Sequence, residues 1–319
     1  MKGIKKKDSW TVSNIPSQRG RLIIVTGGTG GLGYETALAL ARAGAEVILA
    51  GRNRSKGEAA LKKIRSSVIS ANIRFEELDL ADLASVEAFA KRMHSKYQRL
   101  DVLINNAAVM LIPHRKVTKD GFELQFGTNY LGHFALTAYL TPLLRKGHNP
   151  RVVNVCAMAA HTGVINFDDL QSEHHYKPME VYRQSKLSNL VFSLELHRRS
   201  EAEKWGVKSI AVHPGLCQTD LAANGIGANN MLIKVYRLLG PIFFQSAAQG
   251  ALPTLFAATS PEAVSGQYYG PDGFNGIWGF PTSARISPWA KDVNAAKRLW
   301  KTSKQLTNVD FDMITSMQI

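Results

Sequence analysis

Arg21-Leu-Ile-Ile-Val-Thr-Gly-Gly-Thr-Gly-Gly-Leu-Gly33, continued by Tyr34-Glu-Thr-Ala-Leu-Ala-Leu-Ala-Arg-Ala43, is the stretch that decides the fold. Its apolar start reads as a short buried strand, and the residues after Gly33 read as a helix stopped by Gly44. A glycine-rich turn from strand to helix lets a pyrophosphate approach backbone N–H groups at the positive helix end. Gly27, Thr29, Gly30, Gly31, Leu32 and Gly33 are therefore candidates to hold a dinucleotide. Such loops also serve as plain tight turns, so the rest of the chain has to decide.

Working outward, strand and helix patterns alternate from Arg21 to about Tyr269 without linker, repeat or low-complexity block. The expectation is an α/β, Rossmann-type, doubly wound sheet of about seven parallel strands in a single domain over residues 21–309. Residues 1–20 are read as an N-terminal extension and 310–319 as a tail, with a lid-like segment at about 220–245. The second strand, Glu46–Gly51, runs into Arg52-Asn-Arg54. An acid at this point would grip a ribose 2′-OH, whereas Arg52 and Arg54 suit a 2′-phosphate, so NADP(H) is favoured over NAD(H).

Asp79, at the mouth of the third strand (Ile73–Leu80), could meet an adenine amino group or cap the next helix, since Asp82 and Ser85 lie nearby. The fourth strand, Leu100–Ala107, ends in Asn105 and Asn106, whose amides are expected to bond loop backbone. A helical pattern from about Gly121 to Leu144 carries Asn129 and His133, the latter read as structural. Further strands are expected at Arg151–Val155, Ser209–His213 and Gly266–Tyr269. Between the fifth and sixth stand Tyr182 and Lys186, on one helix face. There an ammonium can lower a phenol pKa and make it a proton donor and acceptor.

Composition bounds the partners. The formal net charge of +14 is large, but the basic residues are spread over many elements, with only Lys5-Lys6-Lys7 and Arg198-Arg199 clustered. Solvated helix faces explain this better than nucleic-acid binding, which is not expected. The two cysteines, Cys156 and Cys217, lack metal-ligand spacing, so no metal site and no disulfide framework are expected. The N-terminus has no apolar secretory core, and no apolar run reaches spanning length. A cytoplasmic setting is the default. The stretch from Met231 to Phe244 reads as an amphipathic lid, a peripheral membrane contact or plain core, and a homo-oligomer stays open.

In order, Thr26-Gly-Gly-Thr-Gly-Gly-Leu-Gly33, Asn105-Asn-Ala-Ala108, Asn129, Tyr182-x-x-x-Lys186 and Pro214-Gly-Leu-Cys-Gln-Thr219 resemble the short-chain dehydrogenase/reductase family, from about Trp10 to Val309. Asn129-Tyr-Leu-Gly-His-Phe134, Asp168-Asp-Leu-Gln171, Gln184-Ser-Lys-Leu-Ser-Asn189 and Gln267-Tyr-Tyr-Gly-Pro-Asp-Gly273 are similar to its branch of retinol-dehydrogenase-like, WW-domain oxidoreductase-like and light-dependent protochlorophyllide-reductase-like enzymes. The resemblance implies a nicotinamide cofactor across the carboxyl ends of the strands, touching Asp79, Leu80, Asn106, Ala107, Ala108, Pro214, Gly215 and Thr219. It implies that Tyr182 exchanges a proton with the substrate oxygen, that Lys186 lowers its pKa and bonds the nicotinamide ribose, and that Asn129 supports a water-linked proton path.

One departure stands out. The family's paired serines after the fifth strand read Cys156-Ala157 here, so the usual carbonyl-binding hydroxyl is missing. Cys156 is expected to point to the opposite side of the extended chain, and His161 is a candidate substitute donor. Met110, Leu111, Ile112 and Met158, with the apolar stretch Met231 to Phe244, suggest an apolar, adaptable wall for a small lipophilic substrate. The expected activity is NADP(H)-dependent reduction of a lipophilic aldehyde or ketone. Reduction of a conjugated C=C bond is the alternative, and an NADP(H)-binding sensor or scaffold is the alternative of a different class.

Overall fold

Leu22–Thr26 is apolar on both faces, which suits a central strand covered on either side by helices. This strand, β1, leads through the glycine turn into α1 (Gly31–Arg42), which Gly44, at φ 91°, brings to an end in the chain reversal toward β2 (Glu46–Gly51). The same unit repeats as α2 (Arg54–Ser67), β3 (Ile73–Glu77), α3 (Leu83–Lys96) and β4 (Val102–Asn105). Asn53 and Asp82 start α2 and α3 by accepting backbone N–H bonds from the first helical turn. The computed structural model describes residues 9–217 and 244–311.

Two helical segments, α4 (Leu124–Phe126) and α5 (Gly132–Leu144), are joined by a π turn over Gly127–Leu131, in which Gly132 N–H donates to Gly127 O. The chain then forms β5 (Arg151–Val155), the long α6 (Pro178–Ala202) and β6 (Lys208–Val212). After the segment outside the described residues come α7 (Ala247–Gly250), α8 (Leu252–Thr259), β7 (Tyr268–Pro271), β8 (Pro281–Ser283), α9 (Pro288–Lys291) and α10 (Val293–Thr307).

The sheet order is β3-β2-β1-β4-β5-β6-β7-β8, an α/β Rossmann-like single domain. Seven strands are parallel as expected, but an eighth, β8, is added antiparallel to β7. Its three residues carry no run of alternating apolar side chains, which is why the sequence reading omits it. Side chains of the central strands alternate between two cores: Ile24, Ile48, Leu103 and Val152 face α5 and α6, while Ile23, Val47, Ile104 and Val153 face α1 and α8. On the first side α10 closes the core with Trp300, edge-on to Phe134 at 5.2 Å. The order reverses between β1 and β4, and ligands of such sheets bind outside the carboxyl ends of the strands at that point.

Candidate active site

A cleft of about 840 Å³ opens at this switch point. Its floor is the turn between β1 and α1, with Gly27, Thr29, Gly30, Gly31, Leu32 and Gly33 all on the surface. Gly27 sits at φ +64°, and a Cβ there would come within 2.9 Å of the Ala107 Cα, so the turn closes onto the end of β4 only with glycine. A Cβ on Gly30 would instead project into empty space over the N-terminus of α1. That open cradle beside free helix N–H groups fits a pyrophosphate.

At the end of β2 the cleft is lined by Arg52, Asn53 and Lys56. Arg54, expected beside them, is not on the cleft wall: Asn53 is the N-cap of α2, so Arg54 is its first helical residue and is exposed. Lys56, two residues further along α2, takes that place and was not anticipated. Asp79 and Leu80 line the cleft as expected. The capping alternative goes to Asp82, which accepts from Ala84 and Ser85 N–H, while Asp79 Oδ1 accepts from Ala81 N–H at 2.9 Å.

Asn106, Ala107 and Ala108 continue the wall. Asn106 does bond loop backbone, donating from Nδ2 to Thr26 O at 2.8 Å. Asn105 does not: its Nδ2 donates to Thr137 Oγ1 and Asn154 Oδ1, both at 3.0 Å, because it is still inside the sheet and faces side chains.

Tyr182 and Lys186 both line the cleft from α6, where each is buried. Lys186 Nζ donates to Val155 O at 2.9 Å and lies 5.9 Å from the centroid of the Tyr182 ring. Burial pushes the Tyr182 phenol above its ordinary range, with the nearby Cys156 thiol adding to the shift. This corrects the expected lowering by Lys186: the ammonium is turned toward the β5 carbonyl, and desolvation decides. Burial also brings Lys186 down to about 8, partly opposed by Cys156.

Ala157 stands on the cleft wall in extended backbone, and its carbonyl accepts the Tyr268 hydroxyl at 3.3 Å. Cys156 borders the cleft too, but its Sγ donates to Asn154 O at 3.6 Å in the core, and burial pushes its thiol up to about 12. His161 does not line it. Its ring packs instead on Tyr268 at 5.9 Å and His213 at 6.2 Å, because the 3-10 turn Met158–Thr162 carries it behind Ala157. Asn129 is likewise off the wall: its Oδ1 accepts from Val109 N–H at 2.8 Å, and its Nδ2 donates to Val109 O at 2.9 Å and Ser185 Oγ at 3.0 Å.

Pro214, Gly215 and Cys217 line the opposite rim, so both cysteines border the cleft. Thr219 and residues 220–243 of the lid-like segment lie outside the described residues. Of the anticipated apolar wall, Met110, Met158 and Phe244 are present, Leu111 and Ile112 are not on it, and residues 231–243 lie outside the described residues. Leu111 adopts φ 56°, its N–H held by Gln125 Oε1, and this left-handed residue redirects the chain after Met110. Val109, Thr128 and Met179 also line the cleft and were not anticipated, since nothing in their spacing separates them from core. Among the described residues no cluster of three metal-ligating side chains occurs, and no helix is long and apolar enough to cross a membrane.

Residues 21–228 match the short chain dehydrogenase family model. Among relatives, retinol dehydrogenase 12 of Mus musculus is 38% identical over 295 residues, covering 92% of this chain and 88% of its own. Polyprenol dehydrogenase of Homo sapiens is 41% identical over 259 residues, covering 79% and 77%. Among solved structures, an uncharacterized protein from Mycobacterium paratuberculosis superposes with TM-score 0.78 at 38% identity, covering 95% of this chain and 99% of that one. A short chain dehydrogenase from Shigella flexneri, complexed with NADP, shares the fold with TM-score 0.62 at 21% identity, covering 80% and 98%.

Proposed function

The chain belongs to the short chain dehydrogenase family of oxidoreductases, and from that premise we propose that it is an NADP(H)-dependent reductase of a lipophilic aldehyde or ketone. The observation that carries the reading is that Tyr182 and Lys186 share one cleft with the glycine turn. The catalytic unit is residues 21–309. When bound, a nicotinamide cofactor supplies the hydride. The open cradle at Gly30 would hold its pyrophosphate, Arg52 and Lys56 its 2′-phosphate, Asp79 its adenine and Lys186 its nicotinamide ribose.

Tyr182 donates the proton. Burial keeps the phenol protonated, which suits a group that must give its proton to a carbonyl oxygen acquiring charge. Asn129 braces the loop after β4 against α6 and so fixes where Tyr182 stands; a water-linked proton path through it belongs to the proposal. Met110, Met158, Met179 and Phe244 supply apolar, adaptable surface for the substrate, in keeping with relatives named for retinol and polyprenol. That same apolar wall leaves peripheral membrane contact as part of the proposal.

Ala157 favours a second reading, an NADP(H)-binding sensor with weak catalysis, and reduction of a conjugated C=C bond needs the least help from the missing hydroxyl. Oxidation of NADPH followed over a panel of lipophilic aldehydes, ketones and enones separates the three. Tyr182→Phe should abolish turnover with NADPH affinity nearly unchanged, because the lost hydroxyl acts in the transition state. An active Tyr182→Phe protein would refute the assignment of the proton donor.

A further inference from the structure

The geometry points to His133 as a positioning residue for the proposed reaction: neutral, with its proton on Nδ1, it ties the end of β1 to the π turn that carries Asn129. This rests on the reductase reading given above.

The tautomer follows from hydrogen-bond capacity. Thr26 Oγ1 accepts from Asn106 N–H at 2.8 Å and from Ala107 N–H at 3.0 Å, which fills both of its acceptor sites. It can therefore meet His133 Nε2, 2.9 Å away, only as the donor, with Ile104 O at 3.3 Å the weaker alternative target. Nε2 carries no proton, so Nδ1 carries it and donates to Asn129 O at 2.9 Å. A charged imidazole would aim its Nε2–H at a Thr26 oxygen with no acceptor site left, while its Nδ1–H stayed on Asn129 O. Full burial and the Lys186 charge oppose that form as well.

The imidazole sits in a chain of bonds. On one side the two amides that meet Thr26 belong to the β4 end lining the cofactor cleft. On the other, Asn129 donates to Ser185 Oγ at 3.0 Å, and Ser185 Oγ donates to Tyr182 O at 2.8 Å. The path runs from the cofactor floor to the backbone of the proton donor. A π turn has fewer regular constraints than an α-helix and is often found at functional sites. Here the His133 N–H fixes the carbonyl of its central residue, Asn129.

Two measurements test this. In the wild-type protein, imidazole nitrogen NMR between pH 8 and 6 should show the His133 ring, assigned through its contact with Thr26, protonated on Nδ1 alone. Finding that ring protonated on Nε2, or charged, overturns the proposal without any variant having to fold. Kinetically, His133→Phe should lower kcat by about tenfold to a hundredfold, the scale of a misplaced reacting group, with NADPH affinity within about threefold. His133→Asn, which keeps a donor near the Nδ1 position, should recover most of the loss. His133→Gln, which keeps an acceptor near the Nε2 position, should not.

Wild-type kcat in His133→Phe overturns the inference, as does equal loss in all three variants in step with their melting temperatures. A wild-type protein that binds NADPH but turns over no carbonyl fails the reductase reading instead, and the positioning role falls with it.

Discussion

Ala157→Ser would supply the carbonyl-binding hydroxyl that the family resemblance leads one to expect at this position of the cleft. Ala157 follows β5 in extended backbone (φ −155°, ψ 163°) and already lines the cleft with Tyr182, so an added Oγ needs no new space in the core. The carbonyl of residue 157 is held by Tyr268 at 3.3 Å, which keeps the added group from swinging with its backbone. Removing one preorganised donor to a developing oxyanion commonly costs about 10²–10³ in turnover, or roughly 3–4 kcal/mol. Restoring it should raise turnover on simple aldehydes by about one to three orders of magnitude. The assay is NADPH oxidation at saturating cofactor, with Ala157→Ser/Tyr182→Phe as the control that must stay inactive. No gain over a broad panel, with NADPH affinity intact, would refute the view that Ala157 alone limits carbonyl reduction.

NADPH should bind at least about tenfold tighter than NADH, a difference of about 1.4 kcal/mol. Arg52→Ala and Lys56→Ala should each erode that preference while Arg54→Ala leaves it, as measured by fluorescence titration; equal affinities in the wild type would sink the assignment. Because burial holds Lys186 near 8, kcat/KM should fall as pH rises through about 8 and the ammonium is lost; a pH profile flat to 10 contradicts its role. His213 is held neutral, down to about 4, by burial, and its Nδ1 accepts from Gly215 N–H at 3.3 Å. The unfolded chain takes up that proton near pH 6.5, so the stability contribution is complete above pH 6.5 and is lost as pH falls toward 4, by about 3 kcal/mol. Urea midpoints should show this slope, added to a like one from His133, and His213→Asn should lessen it; parallel slopes in both proteins would count against it.

The β1 turn was legible because glycine there answers to backbone geometry that few other residues can meet, as the 2.9 Å approach at Gly27 shows. Tyr182 and Lys186 were legible because helical spacing alone puts them on one face. Their electrostatics were not: spacing says that an ammonium can reach a phenol, but only the fold shows Lys186 turned to Val155 O and both groups desolvated. Lys56 rather than Arg54 reaches the cleft because the rotation of α2 depends on where Asn53 starts it, and boundaries shift by a residue or two with little change in pattern. The π turn was invisible, since one extra residue leaves a helix buried on almost every side looking regular. His133 was read as structural on type alone, and its bonding partners come from β1 and from its own helix, a meeting no local pattern encodes.

A parallel sheet has two raw edges, each a row of unpaired amides on which another strand could grow. In this chain β8 answers for one of them: it is three residues long, antiparallel, and begins with Pro281 set opposite Pro271, so neither residue of that pair has an amide proton to offer. At the far edge β3 is guarded by charge, with Arg65 donating to Ile73 O at 2.8 Å and Arg74 paired to Glu46 at 3.1 Å. The sheet is thus terminated at both margins. Its termini work as stops against strand-by-strand aggregation, so a chain that keeps a cleft of about 840 Å³ open at the ends of its strands does not also present a template for self-templated growth.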